Sequence, residues 1–238
     1  KKNRVAAAIF IRGNDCRVSG MDQKDALYSE SLKPLHIMHK KIAAETYRVF
    51  SSQQGNEHIA SENALAGVIK YIKYRKAESV LEIGSGIGSI ADAISRAMNT
   101  GFLDGDSMYY GTEVNEFCTQ KFKENITHKN FFLFRGFAGI PRDKTFDFVI
   151  IDGKDTALDM VLGRLRDHGI VFIEGRRKSQ LKLVIAGTKR KCLVINEISL
   201  QRRSYGPFRD RLDHLGGFRA CIFDPRPVDY IIFVIRKV

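Results

Sequence analysis

Between residues 79 and 198, short apolar runs alternate with segments whose apolar positions recur every three or four residues. The runs Ser79–Ile83, Met108–Val114, Phe131–Arg135, Phe146–Ile151, Gly169–Ile173 and Cys192–Ile198 read as strands. Ser89–Met98, Glu116–Asn125, Thr156–Arg166 and Ser179–Ala186 read as helices. FDFVII (Phe146–Ile151) is apolar almost throughout, as suits a strand buried on both faces. Such alternation predicts an α/β fold with a doubly wound, mostly parallel sheet. A seventh and last strand, Tyr230–Arg236, has no helix before it and is expected to enter antiparallel. Upstream, Asn56–Tyr74 puts Ile59, Leu65, Val68, Ile69 and Ile72 at helical spacing, with Ser61 or Glu62 near its start. Residues 21–50 read as one or two helices. The chain thus divides into an N-terminal helical extension, 1–55, and an α/β domain, 56–238.

Composition narrows the class without naming a function. With 238 residues, 44% hydrophobic and 28% charged, the chain can bury a full core and is not a disordered type. No apolar run approaches the roughly 20 residues of a spanning helix. Val5–Ile11 is apolar after KKNR, but RGND follows rather than a small-residue cleavage site, so it reads as ordinary structure in a trimmed or internal fragment. Cys16, Cys118, Cys192 and Cys221 are scattered, which argues against zinc or a disulfide framework and suits a reducing, cytoplasmic compartment. His36 and His39 share a helix face with no third ligand evident. The charge is uneven: residues 161–238 hold 17 Lys and Arg against 7 Asp and Glu, or +10 of the net +12. The excess is densest in Arg176–Arg211, which would attract anions, nucleic acid among them, or simply face solvent.

The chemistry concentrates at VLEIGSGIGS, Val80–Ser89. Gly84, Gly86 and Gly88 follow a buried strand directly, where ligands of open α/β sheets bind. A dinucleotide fingerprint would need a third Gly or Ala where Ser89 stands. The pattern E-x-G-x-G-x-G is instead complete over Glu82–Gly88. Here the chain resembles the class I S-adenosylmethionine-dependent methyltransferases. The resemblance implies a cofactor-binding turn formed by Gly84, Ser85, Gly86 and Gly88, with Glu82 near the ammonium end of S-adenosylmethionine. It also implies an acid that accepts both ribose hydroxyls, as a carboxylate's two oxygens can: Glu113, closing the next strand beside Val114, ahead of Asp104 and Asp106 in the loop before that strand. A third motif has Phe137 and Ala138 where the family often has Asp-Ala, so Phe137 would stack on or edge the adenine, or be core.

A fourth segment, Phe146–Asp155, is similar in style to small-molecule O-methyltransferases. It implies Asp152 and Lys154 as catalytic groups beside the reactive methyl, with Asp152 also against the cofactor and leading as the base. Arg176 and Arg177 would orient an anionic acceptor. A divalent metal is disfavoured because Glu174-Gly175 stands where the metal-dependent type has Asp-Asn, although Asp152 and Glu174 are hard oxygen donors. The reading is therefore an S-adenosylmethionine-dependent methyltransferase acting on oxygen of a small anionic acceptor. A catalytically silent module holding nucleic acid or a protein partner, or an RNA methyltransferase, is the alternative. A nicotinamide oxidoreductase ranks below both. His58 is a further candidate for substrate contact.

Overall fold

The computed structural model describes residues 7–12, 15–19, 37–153, 158–175, 178–188, 192–202, 215–223 and 231–237. Among the described residues ten strands form one sheet: β1 (Ala7–Arg12), β2 (Asp15–Ser19), β3 (Ser79–Ile83), β4 (Met108–Thr112), β5 (Phe131–Phe134), β6 (Phe146–Ile151), β7 (Leu165–Glu174), β8 (Cys192–Arg202), β9 (Leu215–Phe223) and β10 (Ile231–Lys237). The helices are α1 (Met38–Ser51), α2 (Glu62–Arg75), α3 (Ser89–Asn99), α4 (Glu116–Asn125), α5 (Leu158–Gly163) and α6 (Lys178–Thr188). None of the described helices is long and apolar enough to cross a membrane.

The strand order is β2-β1-β10-β8-β9-β7-β6-β3-β4-β5. From β5 to β7 every pairing is parallel, while β9 runs antiparallel between β7 and β8. The seven strands β5 to β8 therefore make the expected doubly wound, mostly parallel sheet. Its antiparallel member is β9 rather than the final strand, since β10 pairs parallel with β8. Leu215–Phe223 occupies that slot by pairing with β7 on one side and β8 on the other, with Val171, Cys221 and Val194 in register. The sheet also exceeds seven strands. Ile9, Phe10 and Ile11 pair antiparallel on β10, and β2 pairs on β1, so residues 7–12 and 15–19 are strands where the sequence suggested a helical extension. The helix expected over Thr156–Arg166 ends at Gly163, and β7 starts at Leu165.

Period-two alternation sends successive strand residues to opposite faces. On one face Val80, Phe148, Ile150 and Phe172 pack with α2 and α3; on the other Leu81, Ile83, Val149 and Ile151 pack with α5 and α6. β3 and β6 are buried at every position, as their apolar runs require. Ser61 starts α2 by accepting the Ala64 N–H at 3.3 Å, and Asn115 starts α4 by accepting that of Cys118 at 3.1 Å. Helix α1 belongs to the same core: Ile42 and Ala43 are buried in it, and Thr46 donates to Asp92 of α3 at 2.9 Å.

Candidate functional site

The carboxyl ends of β3, β4, β6 and β7 open on one cavity of about 280 Å³. The glycine turn forms its floor. Gly84 and Gly86 have φ of +84° and +53°, a region that favours glycine, and both line the cavity. The turn is pinned from two sides. The N–H groups of Gly84 and Ser85 donate to the Thr112 carbonyl at 3.0 and 2.9 Å, and those of Asp152 and Gly153 donate to Ile83 at 3.0 and 2.7 Å. Two loops thereby abut, and the backbone of Gly153 stands where a Gly84 side chain would be.

Glu113, half-buried just past β4, holds this arrangement from the side. Its Oε2 accepts the Gly86 N–H at 2.8 Å, and its Oε1 accepts those of Val114 and Asn115, each at 2.8 Å. The carboxylate thus ties the glycine turn to the end of the neighbouring strand. Asp152 and Glu174 stand on the far wall, and Arg135 with Gly136 closes the side beyond Val114. Glu57, His58 and Ile59 form the remaining rim; the Ala60 N–H bonds Ser89 Oγ at 3.1 Å and anchors that loop. The cavity's described ionisable groups are Glu57, His58, Glu113, Arg135, Asp152 and Glu174. Among the described residues no three His, Cys, Asp or Glu side chains gather to hold a metal ion.

Five of the residues expected at the site therefore meet there: Gly84, Gly86, Glu113, Val114 and Asp152. Lys154 lies outside the described residues, as do Arg176, Arg177 and the side chains of the other arginines of Arg176–Arg211. Gly88 caps α3 against Phe122 and Ile126 rather than facing the cavity. Phe137 is buried in the core, with the Arg164 guanidinium over its ring at 4.8 Å, and Ala138 is exposed outside the cavity lining. The expected adenine contact of Phe137 thus gives way to packing. Thr112, Gly153, Glu57 and Ile59 were not singled out in the sequence. Strand-end position was the available signal for Thr112; in the short turn at Asn56–His58 only His58 had been marked, as a candidate for substrate contact, and it lines the cavity.

Glu82 is the other displaced residue. It is 1% exposed, on the Val80 face of β3, and does not line the cavity. Its Oε2 accepts the Tyr109 hydroxyl, whose oxygen lies 3.1 Å from Ser85 Oγ. Burial pushes the Glu82 carboxyl well above its ordinary value of 4.5; the Tyr109 hydrogen bond works against this, and the charges of Asp152 and Glu113 add to it. The folded protein then keeps a proton that the unfolded chain loses above pH 4.5. Stability contributed at this residue falls as pH rises from there through the raised folded pKa, by up to about 1.4 kcal/mol per pH unit. Glu82→Gln removes that slope. Urea titrations from pH 5 to 8 should show the variant gaining on the parent as pH rises; parallel curves would show that Glu82 is ionised in the fold.

No protein-family model matches the chain, and no curated protein matches it in sequence. Solved structures match it in fold. An O-methyltransferase from Bacillus cereus, in complex with SAH, superposes with a TM-score of 0.55 and 14% identity, over 82% of this chain and 97% of that one. The SAH-bound methyltransferase PaMTH1 from Podospora anserina gives 0.53 and 13%, over 87% and 99%. At such identities the likeness is one of chain path, extending over nearly the whole of each neighbour.

Proposed function

From the class I methyltransferase fold that this chain has, we propose that it is an S-adenosylmethionine-dependent methyltransferase acting on an oxygen of a small acceptor. The observation that carries the reading is the glycine turn and the Glu113 carboxylate meeting in one cavity, 2.8 Å apart through the Gly86 N–H. The residues fit the cofactor. Gly84 and Gly86 present bare backbone, and Glu113 brings carboxylate oxygens to where a ribose diol would lie. Glu57, Glu113, Asp152 and Glu174 outnumber Arg135 on the described wall, which favours a cationic sulfonium. Val114, Arg135 and Gly136 are assigned to the adenine end in place of Phe137.

When bound, S-adenosylmethionine supplies an electrophilic methyl group. The chain's task is to align an acceptor hydroxyl with it and to take the hydroxyl proton. Asp152, at the carboxyl end of β6 on the cavity wall, is assigned that proton. An anionic group on the acceptor is assigned to Arg176 and Arg177, which lie outside the described residues and follow the end of β7 in sequence.

Calorimetric titration with S-adenosylmethionine and its demethylated product tests the cofactor. Release of that product across a panel of hydroxylated small molecules then tests transfer. Asp152→Asn should cut transfer by about 100-fold or more while cofactor binding persists. Absence of binding by either compound sinks the reading. Parental turnover in Asp152→Asn would remove the base assignment alone.

A further inference from the structure

Beneath the glycine turn the apolar core contains a polar chain of three residues from three pieces of the fold: Glu82 in β3, Ser85 in the turn and Tyr109 in β4. All three are buried. The Tyr109 ring stacks on Phe131 at 4.8 Å and on Phe122 at 6.2 Å, so its hydroxyl is carried to a fixed point. Gly111, beside Glu82 in register, leaves the necessary room: a Cβ there would stand 2.5 Å from Ser85 Oγ and 3.0 Å from the Tyr109 hydroxyl. Among the described residues Glu82 Oε1 has no hydrogen-bond partner. A buried carboxyl with one oxygen unpaired is a poor way to fill a core, where an apolar residue of similar size would be more stable. Its other oxygen, Oε2, accepts the phenol that also contacts the turn.

We propose that Tyr109, braced by Glu82, is a positioning residue for the glycine turn: through Ser85 it holds the backbone of Gly84–Gly88 in the shape a ligand meets. This rests on the reading of that turn as the S-adenosylmethionine cradle. None of the three side chains lines the cavity, so the effect passes through main chain. Ser85 is the residue between the two cavity glycines. Its N–H is already fixed on Thr112, and the N–H of the next residue is fixed on Glu113. Anchoring Ser85 Oγ as well restrains the turn at a third point, from beneath.

Tyr109→Phe keeps the stacked ring and removes both hydrogen bonds. The expected result is about tenfold weaker S-adenosylmethionine binding, the scale of one lost hydrogen bond. Amide hydrogen exchange should speed up at residues 85–88 while β3 and β4 stay protected. Because this variant also strands Glu82, the double variant Glu82→Leu, Tyr109→Phe removes the stranded carboxyl. It should recover parental stability yet keep the weak binding and the fast turn exchange. Parental binding and parental turn exchange in that double variant would overturn the proposal. Ser85→Ala should reproduce the tenfold loss, and combining it with Tyr109→Phe should add little; losses that multiply to about a hundredfold would show that no tether joins the two. If the parent itself binds no S-adenosylmethionine, the functional reading fails, and exchange in the turn alone decides this proposal.

Discussion

Gly84→Ala is expected to destabilise the protein by about 3 kcal/mol and to abolish ligand binding, two penalties acting at one atom. The first is conformational. Gly84 sits at φ +84°, where an L side chain costs about 1–2 kcal/mol. The second is steric: the new Cβ would stand 2.5 Å from Gly153 Cα and 2.6 Å from Gly153 N, backbone atoms that no rotamer change can move aside. Relief requires the Asp152–Gly153 loop to withdraw from β3, breaking the bonds that hold Asp152 and Gly153 on the Ile83 carbonyl. Asp152 then leaves the cavity wall. Gly101→Ala separates the two penalties, since Gly101 has φ +71° with nothing within 4 Å of its Cβ position. Denaturant titrations should place it about 1–2 kcal/mol below the parent, with binding intact. Equal losses in the two variants would mean that the contact between loops is soft.

The contrast between these two glycines also shows what the sequence could reveal. Three glycines after a buried strand announce a turn with unusual backbone, and Gly84, Gly86 and Gly88 all have positive φ. What each glycine makes room for was not legible, because the neighbours come from elsewhere in the chain: Gly153 for Gly84, the His58 carbonyl for Gly86, and Phe218 for Gly67 in α2. The strands β3 to β7 were legible because each carries a compact apolar run, although only β3 and β6 are buried throughout. β9 was not, since Gly216, Gly217 and Arg219 interrupt its apolar residues, and its place is fixed by pairing with β7 and β8. Glu82 was misplaced for a related reason. A lone acid before a glycine turn reads as a ligand group, yet strand alternation sends it inward to Tyr109, a partner 27 residues away that only the β3–β4 register brings near.

Glu113 is where the motif reading and the geometry bear on each other most directly, and its replacement should weaken binding with little cost to the fold. The carboxylate accepts three main-chain N–H groups, from Gly86 on one oxygen and from Val114 and Asn115 on the other. Glu113→Gln is nearly isosteric, but an amide has an acceptor on one side only. Whichever way it turns, an NH₂ group faces either the Gly86 N–H or the other two. The turn then loses its tie to β4, or Val114 and Asn115 lose theirs at the start of α4. A proposed ribose diol would in addition meet one acceptor oxygen where it needs two. Together these should weaken S-adenosylmethionine binding by about 100-fold or more, the sum of a charged hydrogen bond lost and a donor left opposed. Stability should change far less, because Glu113 is half-exposed and water can satisfy the released N–H groups. Glu113→Asp discriminates between the two roles. It restores both acceptor oxygens on a side chain one methylene shorter, so it cannot hold Gly86 and the α4 start at once. If tethering dominates, Asp should bind as poorly as Gln; if diol recognition dominates, Asp should recover much of the affinity. Parental affinity in Glu113→Gln would mean that the ligand lies elsewhere in the cavity.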